Sequence, residues 1–219
     1  MIETAMGPAL TRGEYWILEA VVEVGLPLSW LARESLAEAV NKPAHGLTYA
    51  ALVSTLDTLF QAGLIEADHT QETVPACLTP AQIELALNEQ AQFWEHGYWV
   101  YRLTPQGGQV WEAFAQPDWT CFVAPATRTS VDQPALEHGC IGGMQRWWVE
   151  TYMEALSYLG YAIDSISISW VEQCPWHATY WKVLPAGHEV NYTCMESEHA
   201  DALPQHLRKV YDYPWYRWR

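Results

Sequence analysis

Cysteine and histidine recur late in the chain at spacings that could hold a metal. Cys174-Pro175-Trp176-His177 places a thiol and an imidazole three residues apart, and His188 with Cys194 would complete a four-ligand set across a hairpin. Zinc takes mixed sulfur and nitrogen sets of this kind. The spacing matches no standard finger, and Pro175-Trp176 fills the chelating pair awkwardly. We read a buried thiol and a surface imidazole on neighbouring strands, and expect no metal and no cofactor. His138-Gly139-Cys140 offers a weaker pair of the same kind. A nucleophile at Cys140 or Cys174 with His177 and Asp164 can be drawn. Nothing in the local sequence orients it, no Gly-x-Ser-x-Gly elbow is present, and free cysteines usually serve as small core residues. Gly139-Cys140-Ile141-Gly142-Gly143 precedes a predicted helix, where backbone N–H groups can cradle an anion. It lacks the Lys-Ser/Thr of a phosphate loop and no clear strand precedes it, so it reads as a flexible helix entry. With no catalytic set, the expectation is a protein that is not an enzyme.

Charge is the stronger signal. The chain carries 26 Asp+Glu against 11 Lys+Arg, a formal net charge of -15. Residues 1–118 hold 15 acids and 4 bases, a balance of -11, and residues 119–219 hold 11 acids and 7 bases, a balance of -4. Such a field repels nucleic acid and anionic membranes and attracts basic proteins. Half of the residues are hydrophobic, enough to bury a core. No run reaches the apolar length of a membrane span. The first residues, MIETAMGPALTRGEYW, lack a basic region followed by an apolar stretch. Five widely spaced cysteines then fit reduced thiols in the cytoplasm. Thirteen Trp is a heavy load. Trp147 and Trp148 are adjacent on a predicted helix and must point in different directions. Trp176, Trp181, Trp215 and Trp218 could form an aromatic patch of the kind that anchors interfaces, or close the core of a small α+β unit.

The elements that position these residues can be traced by punctuation. Thr11-Arg12-Gly13-Glu14 has the form of a capping box; Trp16, Ile17, Ala20, Val21 and Val24 follow at helical spacing, and Gly25 with Pro27 ends the run. A second helix is predicted over Ser29–Val40. Thr48 caps a third, with Leu52, Leu56, Leu59 and Phe60 as its apolar stripe and Gly63 as its stop. Leu64-Ile65 begins a strand. Thr79-Pro80-Ala81-Gln82 starts a helix carrying Ile83, Leu85, Ala86, Leu87, Ala91 and Phe93, ending before Gly97. Tyr98–Leu103 reads as a strand, and Thr104-Pro105 opens a helix ended by Pro117. Residues 116–142 read as a linker or irregular segment, followed by a helix over Met144–Leu159. Ile163–Trp170 alternates like a half-buried strand. Ala178–Leu184 and Glu189–Met195 flank Pro185-Ala186-Gly187-His188, which reads as a hairpin. Glu196-Ser197-Glu198-His199-Ala200-Asp201 reads as a solvated acidic loop.

Gly63-Leu64-Ile65 followed by Tyr101-Arg102-Leu103-Thr104-Pro105-Gln106-Gly107 carries a resemblance. Residues 10–115 resemble a winged-helix domain of the MarR/PadR-like kind, in which three helices lead into Gly-Leu-Ile and a β-wing returns as Tyr-Arg-Leu-Thr-Pro-x-Gly. The resemblance implies that the third helix enters the DNA major groove with polar and basic side chains. Here that helix, Thr48–Ala62, offers Tyr49, Ser54, Thr55, Asp57, Thr58 and Gln61, with no Arg or Lys for guanine or phosphate. The family's wing is short. This chain inserts a helical segment at about 71–97, and the stretch from Ile65 to Tyr101 holds Glu66, Asp68, Glu72, Glu84, Glu89 and Glu95. A wing of that composition repels phosphate, and DNA loses most of its non-specific affinity without cations to meet it.

The expectation is therefore an α+β protein. A winged-helix-like domain (1–118) precedes a small helix-plus-antiparallel-sheet domain (119–219). Its function is expected to be acidic, non-catalytic protein binding, in its most concrete form an immunity- or antitoxin-like protein that masks a basic partner such as a nuclease toxin. The expected binding residues are those six acids with Trp176, Trp181, Trp215 and Trp218. An alternative is a winged-helix regulator with a C-terminal sensor or dimerisation domain, which needs a basic strip from Arg12, Arg33, Lys42 and Arg102. Another is a zinc or thiol enzyme at Cys174 and His177.

Overall fold

A computed structural model describes residues 10–32, 45–71, 76–89, 97–129, 136–197, 200–211 and 215–216. The chain is mixed α+β with antiparallel sheets. It divides into two units. The first is Met1–Ala115 with Thr179–Trp181, and the second is Gln116–Ala178 with Lys182–Arg219.

In the first unit, Thr11 caps helix α1 (Arg12–Ala20) through a full capping box with Glu14. The helix ends a turn earlier than its apolar spacing predicts: Val21 is its C-cap and Val24 is 60% exposed. Val21 N–H and Val22 N–H bond back to the Leu18 and Glu19 carbonyls in a closing turn, and the chain passes into β1 (Leu26–Pro27) and α2 (Leu28–Leu31). α2 stops at Leu31 with Ala32 as its C-cap, short of the helix predicted over Ser29–Val40, and residues 33–40 lie outside the described residues. Thr48 caps α3 (Tyr49–Gln61), and Leu52, Leu56, Leu59 and Phe60 are buried as the stripe requires. Gly63 at φ +66 closes it, with Gly63 N–H bonded to Phe60 and Leu64 N–H to Leu59. These two bonds make a Schellman stop. Strand β2 (Ile65–His69), helix α4 (Pro80–Asn88), strand β3 (Trp99–Leu103) and helix α5 (Pro105–Ala115) follow. The strands form one antiparallel sheet in the order β1-β3-β2. α4 has its predicted capping box at Thr79 and Gln82. It stops at Asn88, where Glu89 leaves helical backbone; Ala91 and Phe93 lie outside the described residues.

Thr104 fastens the end of β3 to the helices. Its hydroxyl donates to the Gly63 carbonyl at 2.6 Å and accepts the Gly107 N–H at 3.0 Å, so one side chain caps α5 and grips the end of α3. Tyr180 and Trp181, far along the chain, belong to this unit. The Tyr180 hydroxyl accepts the Leu103 N–H at 2.7 Å and donates to the Val21 carbonyl at 2.6 Å. The Trp181 indole donates to the Val22 carbonyl at 2.8 Å, and its ring packs edge-on to Trp111.

The second unit opens with a 3-10 turn at Trp119–Cys121. Residues 116–142, expected to be irregular, contain most of two paired strands, β4 (Val123–Thr129) and β5 (Leu136–Gly143). Glycine and proline are poor strand formers, but here the glycines make room for rings. A Cβ on Gly139 would collide with Tyr192, and one on Gly142 would press on Trp176. Helix α6 (Arg146–Tyr158) leads to β6 (Tyr161–Ile163) and β7 (Ser169–Gln173). The alternating run 163–170 is thus two strands broken by a turn. The Asp164 carboxylate accepts the Ile166 N–H and the Asp164 carbonyl accepts from the Ser167 hydroxyl, side-chain bonding that favours a turn over a ladder.

Short strands β8 (Trp176–His177) and β9 (Val183–Leu184) pair with each other. The predicted hairpin of 178–184 with 189–195 is therefore absent. β10 (Gly187–Glu196) instead pairs with β5 on one side and with β6 and β7 on the other. Helix α7 (Gln205–Tyr211) completes the unit. α6 covers one face of the sheet, and Val149 packs with Ile141, Val190, Tyr192 and Cys194 in the core. No helix among the described residues is long and apolar enough to cross a membrane.

Candidate functional site

The outward face of α3 presents Tyr49, Ala50, Ser54, Thr58 and Gln61. Its hydroxyls turn inward on the helix: Thr55 donates to the Ala51 carbonyl at 2.8 Å and Thr58 to the Ser54 carbonyl at 2.9 Å. Neither cations nor free hydroxyl donors are thereby offered by these threonines for reading a base or holding a phosphate.

Of the four bases that a nucleic-acid strip would need, Arg102 is committed elsewhere. It lies directly across the sheet from Glu66. Its Nε meets the Glu66 carboxylate at 2.8 Å and its terminal nitrogen meets Asp68 at 2.8 Å. The strand register sets this geometry, since Glu66 and Asp68 occupy one face of β2 two residues apart. All three side chains are about one-third exposed, so the pairs add little stability. Their consequence is that Arg102 is spent on its own sheet, and that Glu66 and Asp68 are partly neutralised. Arg12 is exposed on α1. Arg33 and Lys42 lie outside the described residues.

The six candidate acids are therefore not equivalent. Glu84 is exposed on α4 and Glu89 is half-buried just beyond it. Glu72 and Glu95 lie outside the described residues. Between Lys42 and Arg102 the sequence holds no Lys or Arg at all. α4 is tied to the start of α3: the Tyr49 hydroxyl donates to the Glu84 carbonyl at 3.3 Å and accepts from the Asn88 amide at 2.8 Å. Leu85, one of the apolar residues that the sequence places on this helix, points outward and is 69% exposed. Ile83, Ala86 and Leu87 form the buried stripe at helical spacing, and Leu85 falls off it by one position. That spacing was the available signal.

The aromatic candidates do not come together as one exposed patch. Trp176 is 3% exposed, its ring laid over Gly142 and Gly187. Trp215 is half-buried, its centroid 4.5 Å from Phe122 and 4.9 Å from Trp119. Lys182 sits over the Trp119 ring at 5.3 Å. These rings close the second unit's core. Trp181 belongs to the first unit, and Trp218 lies outside the described residues. Of the Trp147–Trp148 pair, Trp148 is buried and Trp147 is 55% exposed.

The thiol and metal candidates separate as well. His188 and Cys194 share strand β10 six residues apart, roughly 20 Å at the rise of a strand, and cannot close one metal site. Cys174, expected as a buried thiol on a strand, is instead exposed in the turn between β7 and β8, where its thiol donates to the Pro185 carbonyl at 3.2 Å. Among the described residues no group of three or more His, Cys, Asp or Glu is placed to hold a metal ion. Cys140 is pushed up to about 11 by burial and by the Glu189 carboxylate beside it, so its thiol is protonated at neutral pH. Burial also raises Cys194 and Cys121. A protonated thiol is a weak nucleophile. Asp164, the third member of the drawn triad, is engaged in its own turn.

No family model, no curated protein and no solved structure matches this chain.

Proposed function

We propose that this is a cytoplasmic, non-catalytic protein-binding protein whose first unit is a winged-helix scaffold adapted to bind a basic protein partner. The element order α1-β1-α2-α3-β2-α4-β3-α5, with α4 as the insert between β2 and β3, and the three-stranded antiparallel sheet support the scaffold assignment. The single observation that carries the partner's chemistry is the stretch between Lys42 and Arg102, which holds seven Asp or Glu and no Lys or Arg and is followed by an arginine already paired with Glu66 and Asp68. Phosphate would meet carboxylates there. A basic protein would be steered in, with long-range attraction raising its association rate. In its most concrete form the protein is an immunity- or antitoxin-like masking protein, and the partner a basic toxin such as a nuclease.

The test is direct binding of the purified chain to each basic protein encoded beside it, over a range of salt. A complex that weakens steeply as salt rises is expected. Absence of salt-sensitive binding to every such protein would contradict the masking role.

A further inference from the structure

Helix α4 belongs to the insert between β2 and β3, and its outward face differs from a simple solvated surface. Ile83, Ala86 and Leu87 are buried, while Ala81, Gln82, Glu84, Leu85 and Asn88 are exposed. Leu85 at 69% is the most exposed large apolar side chain among the described residues of the first unit. Tyr49, at the first position of α3, is 44% exposed. Its two hydrogen bonds to Glu84 and Asn88 bring its hydroxyl to the turn of α4 that carries Leu85. An exposed tyrosine would normally sample several rotamers. This one is held, so a partner would pay less ordering entropy to use it.

Ala81 and Leu85 lie on one i, i+4 ridge of the helix, a small and an apolar position, and the acidic Glu89 follows as its C-cap. Charge sets what can lie against that ridge. Glu84 and Glu89 flank Leu85, and the nearest Lys or Arg in sequence are Lys42 and Arg102, the latter ion-paired. An acidic or nucleic-acid partner would be repelled, and a plain cation would leave Leu85 and Tyr49 uncovered. Resting on the protein-binding reading above, we propose that the Tyr49–Leu85 surface, with Glu84 and Glu89 at its border, docks an amphipathic cationic segment of the partner protein, in which Lys or Arg flank a large apolar residue. Tyrosine and leucine supply the desolvated centre and the carboxylates the charged rim, the usual division of an interface.

The experiment uses the full chain and three synthetic helical peptides: one with a leucine face and a lysine face, one with its leucines replaced by serine, and one with its lysines replaced by glutamate. Binding is read at low salt by fluorescence anisotropy and by NMR signals of Tyr49 and Leu85. The leucine-lysine peptide is expected to bind most tightly and to shift both signals. Leu85→Ser, an exposed change that leaves the core intact, should weaken that peptide roughly tenfold, the loss of one apolar anchor. The same variant should leave the serine peptide unchanged. Glu84→Lys combined with Glu89→Lys should weaken both lysine peptides. Equal binding of the leucine-lysine peptide by Leu85→Ser and the parent chain would overturn the assignment. If both lysine peptides bind equally, release with salt and ignore Leu85, the acidic protein-binding role stands and this surface falls. If neither lysine peptide binds, both fall.

Discussion

A methyl group on Gly107 would run into the Leu64 carbonyl oxygen, a backbone atom with no freedom to swing aside. This glycine lets α5 start against the end of α3 while Thr104 bonds both. Gly107→Ala should therefore cost about 1–3 kcal/mol, the usual range for overpacking, seen as a lower thermal midpoint; an unchanged midpoint would remove the close approach. The cysteines make a second prediction at this scale. Cys77 and Cys174 are exposed, whereas Cys194 is buried and Cys140 is pushed up to about 11. An alkylating reagent at neutral pH should modify Cys77 and Cys174 first, and Cys140 and Cys194 only slowly. Mass mapping of the modified peptides reads the order. For Cys140 the folded chain keeps a proton that the unfolded chain gives up from about pH 9, the ordinary value, to about 11. The unfolded state thus binds fewer protons across that window, and stability falls as pH rises through it. Cys140→Ala should flatten that part of the pH–stability curve.

At the scale of elements, the segment Thr179–Trp181 is the least expected part of the fold. Its side chains take the Val21 and Val22 carbonyls just past the end of α1, groups that a helix end leaves unpaired by its own ladder. Trp181→Ala should cost about 2–4 kcal/mol through lost packing and a lost bond, and Tyr180→Phe about 1 kcal/mol. Both losses are read by thermal denaturation, with Val24→Ala as the silent exposed control. Elements punctuated by local chemistry were legible in the sequence: Thr11, Thr48 and Thr79 cap where their neighbours predict, and Gly63 stops α3 in a left-handed conformation. Elements fixed by distant partners were not. Gly139 and Gly142 look like linker residues until Tyr192 and Trp176 are laid over them. Asp164 breaks an alternating strand with one carboxylate. Tyr180 and Trp181 look like the arm of a hairpin, yet their polar tips find carbonyls some 160 positions earlier, at a sequence separation of 159. The candidate acids were visible as a composition, but their division into spent (Glu66, Asp68) and outward (Glu84) required the register of β2 with β3.

At the scale of the whole molecule, a net charge of -15 concentrated on the first 118 residues decides which partners can approach. Arg102 on β3 is the one Lys or Arg of the three-stranded sheet, and the two carboxylates across the sheet already hold it. Glu66→Gln with Asp68→Asn would release it, and even then the surrounding acids should keep duplex DNA affinity below detection at physiological salt in an anisotropy titration. Measurable DNA binding by the parent chain would show local geometry overriding net charge. The measurement that tests the central claim most directly is capture with the tagged full chain from its own cells at low and at high salt, with protein and nucleic acid both assayed in the eluate. The account predicts a basic protein, retained at low salt, released at high salt and indifferent to nuclease treatment. Recovery of DNA, or of no salt-sensitive protein at all, would contradict it.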